Sequence, residues 1–122
     1  MKTFTNEKGE IHNVNGPAIE HSDGSKEWYV DGKRHREDGP AVEYANRTKY
    51  WYLNDKRHRI DGPAFEYSDG NKYWFKNDLL HREDGPAIEY PGGTKYWYLD
   101  NKEYFPKSNE EFLKMVKYKW ML

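Results

Sequence analysis

Along most of the chain, apolar and polar positions alternate in short runs bounded by turn residues. Ala41-Val42-Glu43-Tyr44 and Lys49-Tyr50-Trp51-Tyr52-Leu53 are two such runs. Alternation over four or five residues, rich in aromatic and β-branched side chains, predicts half-buried β-strands. Between the two runs lies a first turn, Ser22-Asp23-Gly24-Ser25, Ala45-Asn46-Arg47-Thr48, Ser68-Asp69-Gly70-Asn71 or Pro91-Gly92-Gly93-Thr94 in successive copies. Gly, Asn and Asp tolerate positive φ there, so each is a hairpin turn, with Asn46 expected to take that conformation in the second copy. A second turn follows at Asp31-Gly32, Asn54-Asp55, Asn77-Asp78 and Asp100-Asn101.

The whole pattern repeats every 23 residues, with His12, His35, His58 and His81 at one position. A strict period of this length marks a stacked array in which each unit buries its apolar face against its neighbours. The expected fold is mainly β, an elongated antiparallel sheet of stacked β-hairpin repeats closed by a C-terminal capping helix. One domain spans residues 1–122: a half repeat at 1–11, full repeats at 12–34, 35–57, 58–80 and 81–103, and a tail at 104–122. About nine strands at ~4.8 Å spacing would make a sheet roughly 40 Å long.

A four-residue first turn would pair Tyr44 with Lys49 and set Val42 opposite Trp51. That register predicts a core face of Ile19, Val42, Phe65 and Ile88 against Trp28, Trp51, Trp74 and Trp97. Glu43 and its equivalents would then share the wetter face with Tyr50, Tyr73 and Tyr96. In the tail, Ser108-Asn109-Glu110-Glu111 reads as a capping box opening a helix from about Asn109 to Trp120. Its apolar stripe of Phe112, Met115, Val116 and Trp120 is expected to cover the last edge strand.

Composition narrows the function. Apolar residues are only 35% of the chain and aromatics 17%, so burial must come mainly from Trp, Tyr and Phe. The net charge is −1, with 34% charged residues interleaved by sign, which removes the basic field that nucleic-acid binding uses. Nucleic acid is therefore not an expected partner. No cysteine is present, so disulfides and thiolate metal sites are excluded. Neither a signal peptide nor a membrane span is legible, and a cytoplasmic protein is expected.

The aromatic strand, the turn in Trp28-Tyr29-Val30-Asp31-Gly32-Lys33, the His after it and the Gly four residues beyond that His resemble the MORN repeat family. The resemblance covers residues 12–103. It departs from the common pattern by placing His-Arg-x-Asp-Gly-Pro-Ala where that family has His-Gly-x-Gly, so the chain looks like a variant class. The resemblance implies elongated hairpin arrays that bind proteins or lipid head groups, no catalytic residue, and a setting in bacteria or their phages.

Four histidines in register suggest a metal, yet equivalent atoms lie two strands apart, roughly 10 Å. Ligands of one metal must each lie within about 2.1 Å of it, so no metal or other cofactor is expected. Instead His12, His35, His58 and His81 read as structural, hydrogen-bonded in the turn with Asp38, Asp61 and Asp84 as partners. Adjacent carboxylates such as Glu37-Asp38 have no imposed convergence for acid/base work, and no nucleophile or phosphate-loop motif occurs, so the chain is not read as an enzyme. Arg36, Arg59 and Arg82, with the ladder of Tyr50, Tyr73 and Tyr96, are candidates for a binding row, since Arg and Tyr are enriched in hot spots. The competing reading pairs these arginines with the Glu ladder.

Leu79 and Leu80, with Ile60, form a candidate apolar spot. The leading expectation is a non-enzymatic scaffold for a protein partner, such as a phage-type accessory or counter-defence inhibitor. Alternatives are a small-molecule binder such as a nucleotide sponge, or a carbohydrate-binding module. Homodimers through the wet aromatic face or an edge strand are also open.

Overall fold

The computed structural model describes residues 1–118. It contains sixteen short strands and one helix: β1 (Lys2–Thr3), β2 (Ile19–Glu20), β3 (Lys26–Glu27), β4 (Tyr29–Val30), β5 (Lys33–Arg34), β6 (Val42–Glu43), β7 (Lys49–Tyr50), β8 (Tyr52–Leu53), β9 (Lys56–Arg57), β10 (Phe65–Glu66), β11 (Lys72–Tyr73), β12 (Phe75–Lys76), β13 (Leu79–Leu80), β14 (Ile88–Glu89), β15 (Lys95–Leu99), β16 (Lys102–Tyr104) and α1 (Asn109–Lys117). Ten of these form one antiparallel sheet in the order β1-β2-β3-β6-β7-β10-β11-β14-β15-β16. The fold is the expected array of stacked hairpins.

Each full unit makes two hairpins rather than one long one. In the second unit β6 pairs with β7 in the main sheet, and β8 with β9 in a separate ribbon. Trp51 sits at the break. Its amide leaves its own hairpin to donate to Ala64 O at 2.7 Å, as Trp28 does to Ala41 and Trp74 to Ala87. The next unit is thereby fastened on.

The register differs from expectation by one residue. Val42 faces Tyr50 and Glu43 faces Lys49, because Tyr44 N–H donates to Thr48 O and closes a loop of three residues. Arg47, with φ 76°, takes the positive-φ position that Gly24, Gly70 and Gly93 hold elsewhere. Asn46 instead accepts the Thr48 amide on its side chain. A one-residue shift exchanges the faces. Ile19, Val42, Phe65 and Ile88 therefore stand across from Glu27, Tyr50, Tyr73 and Tyr96, and the tryptophans lie on the other face with the glutamates.

The corrected register aligns opposite charges. From β1 to β15, Lys2, Glu20, Lys26, Glu43, Lys49, Glu66, Lys72, Glu89 and Lys95 are successive cross-strand partners, each Lys facing Glu. Any slip would break this alternation, so it reinforces the register. The most buried apolar residues are Ala18, Ala41, Ala64 and Ala87, with Ile19, Val42, Ile88, Phe75 and Phe112. On the tyrosine face, six rings meet edge to face in the series Tyr44, Tyr50, Tyr67, Tyr73, Tyr90, Tyr96, with centroids 5.5–6.1 Å apart. In the first unit His21 and Glu27 stand at those positions and bond to each other at 2.7 Å.

Ser108 caps α1 by accepting from the Glu111 amide, and the Glu111 carboxylate reaches back to the amide of Lys107. The helix meets the sheet at Trp97 on its face: the ring contacts Phe112, and its Nε1 donates to Asn109. The expected helical extension to Trp120 lies outside the described residues.

Candidate functional site

The Trp face carries the repeated chemistry. In three successive units the guanidinium of Arg36, Arg59 or Arg82 lies over Trp28, Trp51 or Trp74, 3.8–4.0 Å from the ring centroid. Arg36 Nε donates to Asp38, and its Nη1 donates to Pro40 O and meets Glu43 at 3.5 Å. Arg59 repeats this with Asp61, Pro63 and Glu66, and Arg82 with Asp84, Pro86 and Glu89. The glycine of the motif closes the stack from the other side. A Cβ added at Gly39 would stand 2.9 Å from Arg36 Cζ, and at Gly62 or Gly85 2.8 Å from the equivalent atom. His-Arg-x-Asp-Gly-Pro-Ala is therefore one clamp, in which Arg is held between an indole and a glycine.

Asp38, Asp61 and Asp84 thus serve arginine rather than histidine. Hydrogen bonding to Arg36 first, then its charge, holds Asp38 below the usual carboxylate range. The histidines reach farther along the chain. Nδ1 of His12, His35, His58 and His81 accepts the amide of Asp31, Asn54, Asn77 and Asp100, each at 2.9–3.0 Å. Every one of these turns has two consecutive positive-φ residues, a strained type I′ geometry that the imidazole fixes in place. An accepting Nδ1 requires the neutral ring with its proton on Nε2.

Of the other candidates, Tyr50, Tyr73 and Tyr96 lie in the tyrosine series, Tyr96 more exposed than the first two. Burial first, then hydrogen bonding with Tyr67, raises Tyr50 well above the usual phenol value, and hydrogen bonding with Tyr90, then burial, pushes Tyr73 up to about 12. Leu79 and Leu80 pair with Lys76 and Phe75 in the third ribbon, and neither lines the groove that Ile60 and Lys76 line. Leu80 occupies in the third unit the position that Arg57 occupies in the second, where the guanidinium lies over Phe75. The structure therefore does not gather Ile60, Leu79 and Leu80 into one spot. Trp28, Trp51, Trp74 and Trp97 are all half-buried.

Successive clamp loops leave three grooves between them, with volumes of about 660, 640 and 730 Å³. Trp28, Trp51 and Trp74 line them in order. Their walls are the loop tips, and the tip is the x of His-Arg-x-Asp, the loop position that changes character at every step along the array, the other departures being Asn13 and Asn15 of the first unit. Val14 is 71% exposed, Glu37 84%, Ile60 91% and Glu83 67%. Apolar and acidic tips alternate, so each groove has one wall of each kind. Ile60 was legible as an oddity of the third unit. The alternation needed the loops placed side by side.

Among the described residues no group of three or more His, Cys, Asp or Glu side chains is arranged to hold a metal ion, and no helix is long and apolar enough to cross a membrane. Comparison with family models, curated proteins and solved structures finds no match to this chain.

Proposed function

We propose that this chain is a non-enzymatic, MORN-like repeat scaffold that binds a protein partner along the ridge of clamp loops and acts by occupying the partner's surface. One observation carries the reading. The repeated polar side chains are engaged within the array, each His on a turn amide and each Arg between Trp, Asp and Gly, while the residues that vary from unit to unit project at the loop tips. A uniform frame with position-specific tips is the arrangement by which repeat proteins present extended binding surfaces.

Native mass spectrometry of the protein purified gently from the cells that make it tests this. A protein retained at stoichiometric ratio, and lost on Ile60→Lys, is the expected result. A retained nucleotide or sugar would replace the scaffold by the small-molecule or carbohydrate reading, for which half-buried indoles in the grooves would be the stacking surface.

A further inference from the structure

We infer that the first two grooves are receptors for cationic side chains, and that the partner presents two Lys or Arg residues about 10 Å apart on an extended segment. This deepens the scaffold reading and rests on it. The two grooves share a wall, the tip Glu37, and both are also lined by Asp38. Opposite that wall stands Val14 in the first groove and Ile60 in the second. The linings add Trp28 with Val30, and Trp51 with Leu53.

A long basic side chain matches this lining: its methylene stem lies along indole and aliphatic carbon while its charged head reaches a carboxylate. The arginines already present do not cancel the field. The first groove is lined by Arg36 against Glu37 and Asp38, and the second by Arg36 and Arg59 against Glu37, Asp38 and Asp61, so carboxylates outnumber guanidinium groups by one in each.

The third groove carries its own cation. The position that is Val30 in the first groove and Leu53 in the second is Lys76 in the third. The sequence thus places a lysine in the one groove where no outside cation is called for. Equivalent grooves lie two strands apart, roughly 10 Å, which a segment in the polyproline II conformation spans in three residues of ~3.1 Å each, with both side chains on one side. In a basic partner the cations therefore recur at every third position.

The probes are two capped peptides of one composition without aromatic residues, one with its two arginines separated by Ser-Pro and one shuffled so that they are adjacent. Each is titrated into the full chain, with emission from the groove tryptophans as the readout. The expected result is saturable binding, at least fivefold tighter for the spaced peptide. Glu37→Lys is expected to weaken it at least tenfold and Ile60→Ser two- to fivefold. Glu110→Lys, the same charge change on an exposed residue of α1, should alter it less than twofold.

Equal affinity for both peptides, equal loss from Glu37→Lys and Glu110→Lys, or no saturable change up to millimolar peptide would overturn the inference. The failures are separable. A protein retained in native spectra but indifferent to Glu37→Lys leaves the scaffold standing without these receptors, whereas a retained nucleotide removes the scaffold itself.

Discussion

At Arg36, Arg59 and Arg82 the guanidinium is fixed by an indole beneath, a glycine above and carboxylates at its edge. The first unit dispenses with it. Asn13 stands where the arginine would be; its Nδ2 donates to Pro17 O, and its Oδ1 accepts the amide of Asn15. There a Cβ added at Gly16 would come no closer than 4.0 Å to Asn13 Nδ2. Gly39→Ala should therefore displace the guanidinium and cost about 1–2 kcal/mol from lost stacking and hydrogen bonding, while Gly16→Ala is neutral within about 0.5 kcal/mol. Chemical denaturation of the two variants checks the contrast.

Histidine makes a second residue-level prediction. Burial, with the Lys76 charge adding to it, lowers the pKa of His58 from its ordinary 6.5, so on acidification the unfolded chain takes up a proton before the folded one. This contribution is whole above pH 6.5 and is lost as the pH falls through 6.5 to the lowered value. Protonation also removes the acceptor from the Asn77 amide. Melting curves from pH 7.5 to 5 should show falling stability, with a shallower fall in His58→Asn, which keeps an acceptor that does not titrate.

Among the elements, the type I′ ribbons show why a turn that favours Asn-Gly holds it in none of its copies. Asp55 and Asp78 carry positive φ without being glycine, because each side chain accepts an amide of the preceding ribbon, Arg34 N–H at 2.9 Å and Arg57 N–H at 3.3 Å. Asn101 does the same for Leu80. Asp55→Gly loses that bond but relieves the backbone, whereas Asp55→Ala loses the bond and keeps the strain. The alanine variant should be the less stable by about 1 kcal/mol, measured by thermal unfolding. Turn chemistry and period made the units, both turns and the start of α1 legible in the sequence. Register was not, because Thr48 reads equally well as the last turn residue or the first strand residue, and that single choice decides which face holds the tryptophans. The clamp was hidden for a related reason: Trp28 and Arg36 meet only once the ribbon has folded back.

Across the whole molecule the tyrosine series binds successive units on one face, and alkaline pH probes it directly. The raised values of Tyr50 and Tyr73 mean that the folded state favours the protonated phenols. Stability from this source is intact below the ordinary value of about 10 and declines as the pH rises through 10 towards 12. Tyrosinate absorbance should lag in the native protein relative to the protein in urea, and coincident titration curves would refute a buried series. Elsewhere the array is held together over short chain distances. Lys26 pairs with Glu43 and Lys49 with Glu66, and the histidine bonds reach only 19 residues ahead. No strand pairing among the described residues passes beyond an adjacent unit. A polypeptide leaving the ribosome can therefore complete each unit against the one before it without waiting for distant sequence, so that the order of synthesis is also the order of assembly.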